Sequence, residues 1–137
     1  SLAIGGGYSY TDAKAQYTED QNDPNYMKYL PINATSYHNA NWKIAWTHKD
    51  VGVSLFGRYQ STRYYITDGN GKAYQLWRLN VRSSLLKTKK WNLGMNAGID
   101  NIFNYIDRTP FGKNRGTTSP GRTLYLSLNV KFQNKQK

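Results

Sequence analysis

The sequence has no cysteine, few acids and no long apolar run, and each absence excludes something. Without cysteine there is neither a disulfide framework nor a thiolate metal site. Eight Asp and Glu stand against nineteen Lys and Arg, a formal charge of +11. Such a balance favours an anionic partner, whether nucleic acid, an acidic membrane surface or an acidic protein. No stretch approaches the roughly 18 apolar residues that a membrane helix requires, and no stretch carries a helical period. There is no nucleophile elbow, no HExxH and no carboxylate pair with supporting spacing, so neither enzyme chemistry nor a cofactor is expected. What the 137 residues do hold is twelve Tyr and four Trp, set in alternating patterns and enough for one domain.

The clearest pattern closes the chain. From Gly121 to Phe132, the even positions Leu124, Leu126, Leu128, Val130 and Phe132 are apolar, and the odd positions from Thr123 to Lys131 carry polar groups. A period of two sorts side chains onto opposite faces of a β-strand. The same alternation recurs upstream, at 2–13, 36–48, 51–66, 73–87 and 91–103. Phe56 breaks the polar face of the third run. Lys49-Asp50 and Thr88-Lys89-Lys90 make tight turns, and Thr67 to Lys72 is rich in turn residues. Long polar connections are expected at 12–35 and 104–120. The fold class is therefore all-β, an antiparallel meander of about six strands. Gly5-Gly6-Gly7 reads as a bulge or close approach, since no helix comes after it to make a phosphate cradle. The Glu19–Asp23 cluster lacks the ordered spacing of a calcium loop. D-G-N-G-K lacks the distal acid of a calcium loop and the strand–helix setting of a P-loop, and Asn33-Ala34-Thr35 fits a glycosylation sequon.

Tight turns alternate with longer connections, which puts the turns on one rim and the loops on the other. Each apolar face runs for about ten residues, which at a 45° tilt spans about 24 Å, the apolar height of an outer-membrane barrel. Trp46, Trp91 and Phe132 lie towards the turn rim. Tyr8, Tyr10, Tyr59, Tyr64, Tyr65, Trp77 and Phe103 lie towards the loop rim, as two interfacial girdles would. The competing arrangement is a soluble sandwich with apolar faces turned inwards, but its outer surface would then be Asn, Ser, Thr, Gly and Arg. Six strands are fewer than known barrels use. The expectation is thus a part of a larger barrel, with the missing strands upstream.

Y-S-Y-T-D-A (8–13), G-I-D-N-I-F-N (98–104) and P-G-R-T-L-Y-L-S-L-N-V-K-F (120–132) resemble, in order, the C-terminal end of TonB-dependent outer-membrane receptors. The likeness is to the haem, vitamin-B12 and siderophore receptor group of Bacteroidetes. Asp100, Asn101, Phe103, Gly121, Arg122 and Phe132 carry it. The resemblance implies a plugged barrel of about twenty-two strands, localised to the Gram-negative outer membrane, that imports a scarce nutrient on energy relayed by TonB. It makes residues 1–132 the C-terminal part of the barrel and 133–137 a polar tail. The implied partners are an N-terminal plug, the other barrel strands, the TonB complex through the plug, outer-membrane lipid and the barrel-assembly machinery. That machinery is thought to read the terminal aromatic, whereas here Gln133 to Lys137 come after Phe132; plug and TonB box are absent. The loops at 12–35, 67–72 and 104–120 would be extracellular.

Lys43, Arg58, Arg78, Arg82 and Lys131 share the polar parity and so the lumen, where they either attract an anionic substrate or pair with plug carboxylates. Tyr64, Tyr74, Arg108 and Phe111, near the mouth, are candidate contacts for a flat cyclic ligand such as haem or a corrinoid, although loop aromatics often lack such a role. His38 falls on the apolar parity and His48 at a tight turn, so neither is well placed for a metal ligand, and no metal site is expected. Two other readings remain: a soluble basic β-module for nucleic acid, and a passive porin or adhesin barrel. The first needs aromatic and basic residues on one face. Trp and Arg fall on opposite parities here, so no nucleic-acid partner is expected.

Overall fold

The computed structural model describes residues 1–16, 18–65, 70–106 and 121–132. Eight strands form: β1 (Leu2–Tyr10), β2 (Lys14–Gln16), β3 (Tyr29–Pro31), β4 (His38–His48), β5 (Val51–Gln60), β6 (Tyr74–Lys87), β7 (Trp91–Asp100) and β8 (Thr123–Phe132). No helix occurs among the described residues. Six of the strands make one sheet in the order β1-β4-β5-β6-β7-β8, with every pair antiparallel. The fold is all-β, and the sheet is the expected meander.

Two boundaries differ from the alternation. The connection between β1 and β4 is not wholly loop, because β2 and β3 pair as a separate ladder from Lys14↔Pro31 to Gln16↔Tyr29. Three residues are too few to establish a period against the polar background. Most long strands also stop short of the alternating run. Beyond Gln60 the chain makes single bridges, Ser36↔Arg63 and Arg63↔Gly71, instead of continuing the ladder. Arg63 and Tyr65 sit on what would be the apolar parity of the expected strand, and both are buried.

Register carries the alternation across the whole sheet. One row reads Ile4, Ile44, Leu55, Leu79, Ile99, Leu124 from edge to edge; the next reads Leu2, Trp46, Val53, Val81, Ala97, Leu126. All four tryptophans lie on this apolar face. Nothing covers it among the described residues: Ile4 is 73% and Leu124 72% exposed. A sandwich with its apolar faces packed inwards is therefore not what the described residues build. Apart from glycines, the buried residues among those described gather at the loop rim, where Ser36, Ser61, Arg63, Tyr65 and Asn101 lie.

Two glycines shape the faces. Gly57 lies between Trp42 and Trp77 in register, and a Cβ there would collide with the Trp42 ring. The two indoles meet over it edge to face, 5.0 Å apart, an arrangement aromatic quadrupoles favour. On the opposite face Gly98 lies between Asn80 and Tyr125. The Tyr125 ring covers it, and Asn80 Nδ2 donates to the Tyr125 hydroxyl at 2.8 Å. One bulge interrupts the ladder: Ser84 pairs Gly94, but Leu86, not Leu85, pairs Leu93. Strict parity assigns that apolar position to Leu85.

Candidate functional site

Two hollows lie along the polar face of the sheet. One of about 770 Å³ is lined by Lys43, Phe56, Arg58, Leu76, Arg78 and Asp100, among others. A single row built by register spans it: Gly5, Lys43, Phe56, Arg78, Asp100, Thr123. A second hollow, of about 700 Å³, lies towards the turn rim and includes Lys49, Arg82, Lys87 and Lys131, with Asp50 as its acid. Lys43, Arg58, Arg78, Arg82 and Lys131 thus share one face, as alternation predicts.

Their surroundings differ. Arg78 donates from Nε to Asp100 Oδ1 and from Nη2 to Oδ2 at 3.3 Å, a two-pronged pair across β6 and β7. Lys43 lies over the Phe56 ring, its Nζ 5.2 Å from the centroid, within cation–π range. Arg82 folds over Gly52, leaving no room for a side chain there. Lys131 pairs in register with Asn92 near the turn rim. Phe56 is not alone in breaking the polar face, since Leu76 joins it opposite Arg58.

Between the charged rows runs a neutral polar network. Asn80 Nδ2 donates to Asn96 Oδ1 at 2.7 Å as well as to Tyr125, and Ser84 Oγ donates to Asn92 Oδ1 at 3.0 Å. These short amides and hydroxyls satisfy one another where longer side chains would fill the hollows.

At the loop rim the structure divides the four candidate aromatic and basic contacts. Tyr74 donates its hydroxyl to Gln60 Oε1, stacks on Tyr105 at 5.0 Å with the rings 6° apart, and has the Arg63 guanidinium 5.2 Å from its ring. Tyr64 stays outside this cluster and is tied by its backbone to Thr35 and Ala34. Arg108 and Phe111 lie outside the described residues, as do most of the 104–120 loop and the 133–137 tail. Arg63, Tyr65 and Tyr105 were not among the expected site residues. The signal for Arg63 was its misfit, as a cation, to the apolar parity of the third run, while Tyr65 and Tyr105 offered none. Tyr65, expected in a girdle, is buried beneath Arg63 instead.

The residues of the D-N-I-F-N run have a visible local purpose. Asn101 takes a left-handed φ of 52°, which Asn tolerates better than most residues. Its Oδ1 accepts from Tyr105 N at 2.8 Å and its Nδ2 donates to Tyr105 O at 2.6 Å. Asn104 repeats the conformation, φ 55°, and its Oδ1 accepts from Arg122 N at 2.9 Å, beside Gly121 at φ 91°. Phe103 meets Trp77 edge to face at 6.2 Å, and Phe132 pairs in register with Trp91. Asp100 closes the pair with Arg78. The run is therefore a turn that leaves β7 and fastens the entry to β8.

The histidines stay on the apolar parity. His38 Nδ1 lies 2.7 Å from the Tyr8 hydroxyl, and His48 stacks on Trp46. No group of three or more His, Asp or Glu able to hold a metal occurs among the described residues. Compared with protein-family models, curated proteins and solved structures, the chain matches none.

Proposed function

We propose that this chain is a wall segment of a TonB-dependent outer-membrane receptor, with its apolar face against lipid and its polar face lining the lumen. The observation that carries the proposal is the pairing of an uncovered apolar face six strands wide with a hollowed polar one. Apolar surface on that scale far exceeds what a soluble monomer leaves exposed. Lipid would solvate it, and both outer edges of the sheet, on β1 and β8, would pair with further strands of a closed barrel. The motif residues Asp100, Asn101, Phe103, Gly121, Arg122 and Phe132 support the receptor over a passive porin or adhesin. The cargo class is a scarce iron chelate, haem or corrinoid. Nucleic-acid binding is disfavoured, because the tryptophans that would stack bases lie on the face opposite Arg58, Arg78 and Arg82.

All four tryptophans serve as reporters. In vesicles, brominated phospholipid should quench their fluorescence while aqueous iodide should not. Strong iodide quenching with no bromolipid effect would sink the membrane assignment. The receptor assignment is tested separately by nutrient uptake: it should require TonB, and uptake unchanged in cells lacking TonB would leave only a passive barrel.

A further inference from the structure

On the polar face, β5 and β6 form a two-by-two checkerboard. Phe56 pairs Arg78, and Arg58 pairs Leu76, so the two arginines occupy one diagonal and the two apolar side chains the other. Lys43 extends the pattern beside Phe56 on β4. All five line the hollow of about 770 Å³. Diagonal neighbours across a ladder stand about 7–8 Å apart, and like charges so placed repel. Asp100 offsets Arg78 alone; among the described residues neither Lys43 nor Arg58 has a carboxylate partner. Phe56 and Leu76 are equally out of place on a face otherwise dominated by Asn, Gly, Ser, Thr and Arg, unless something apolar covers them. Crowded cations and an apolar floor in one hollow suit the same occupant.

We propose that this hollow binds an organic anion: an apolar, ring-sized body on Phe56 and Leu76, with at least two carboxylates reaching Arg58 and Lys43. Arg78 is a positioning residue, held by Asp100, and bounds the hollow. The lumen reading underlies this site, because the face must be open to water for a solute to enter. Within the hollow, Arg58 offers a planar fork matched to a carboxylate, and Lys43 a point charge that can leave Phe56 for a second carboxylate.

The test uses the full polypeptide as its gene encodes it, purified in detergent, titrated calorimetrically with benzene-1,3,5-tricarboxylate and, separately, with inorganic phosphate. The tricarboxylate should bind saturably, more tightly than phosphate, and more weakly as salt rises. Arg58→Gln should weaken it at least roughly tenfold, as loss of a charge-assisted pair does, and Arg58→Lys should restore part of that loss. Phe56→Ser should weaken the tricarboxylate while leaving phosphate unchanged. Lys49→Gln, in the other hollow, should change either by less than about twofold, since exposed distant charges are screened. No saturable binding, equal affinity for phosphate, or an equal loss from Lys49→Gln would overturn the proposal. Circular dichroism confirms that each variant keeps its strand content. Absent binding with intact bromolipid quenching would remove the site and leave the wall reading standing; the reverse would remove the wall reading.

Discussion

Gly57 and Gly98 hold the same position in two different chemistries. Each sits between large side chains on the neighbouring strands, and each lets them meet: Trp42 with Trp77 on the apolar face, Asn80 with Tyr125 on the polar one. A strand glycine is normally a weakness, costing backbone entropy with nothing to pack. Here the neighbours' rings occupy the vacant volume, so the entropy cost is offset by aromatic contact and a hydrogen bond. Gly57→Ala should therefore destabilise, not stabilise, because the new methyl displaces the Trp42 indole; overpacking of this kind costs about 1–3 kcal/mol. The check is a urea midpoint alongside Trp emission, which should shift as Trp42 and Trp77 separate. An unchanged or raised midpoint would show that the indole moves aside freely.

At the scale of the element, β6 does the most. It pairs Arg78 with Asp100, centres the Asn80 network and contains the bulge at Leu85. Tyr125→Phe removes one of the Asn80 hydrogen bonds but leaves the ring over Gly98. The loss should be about 0.5–1.5 kcal/mol, read from the same denaturation midpoint, and a loss beyond that range would mean that the ring itself moves. The bulge supports a sharper contrast. Deleting Leu85 turns Ser84-Leu86-Lys87 into a regular alternation, so the sheet should keep its register. Deleting Val81, inside the strand, shifts the rest of β6 by one residue and moves side chains to the wrong face. Folded yield should survive the first deletion and collapse in the second; equal yields would argue against the bulge as the register's adjustable point.

At the scale of the whole molecule, the described residues build almost no buried core. Among the described residues Tyr65 is the buried hydrophobic, and it lies at the loop rim beneath Arg63. If lipid is the solvent of the apolar face, a charge at mid-height should cost what it costs on barrel exteriors. Leu55 and Ser54 are adjacent on β5 and face opposite ways. Leu55→Arg should lose about 2–4 kcal/mol of folding stability in vesicles, while Ser54→Arg should be nearly neutral. Heat-modifiable mobility on gels gives the folded fraction for both. Equal tolerance of the two arginines would be incompatible with a lipid-facing surface.

The sequence by itself determined the fold class, the order of the long strands and the face of every basic residue named for the lumen. Alternation is a local property: once a residue is in a strand, its parity sets its face, so Lys43, Arg58, Arg78, Arg82 and Lys131 were placed without knowing their neighbours. Only the tertiary structure decided who meets whom. Parity does not say that Arg78 is held by Asp100 while Arg58 is not, nor that Leu76 shares the hollow with Phe56, because both depend on the register between strands. Nor does it reveal the Arg63, Tyr65, Tyr74 and Tyr105 cluster, whose members come from two connections and one strand end. The bulge lay beyond it for the same reason. Leu85 and Leu86 are equally apolar, and the β7 ladder selects which of them takes the place opposite Leu93.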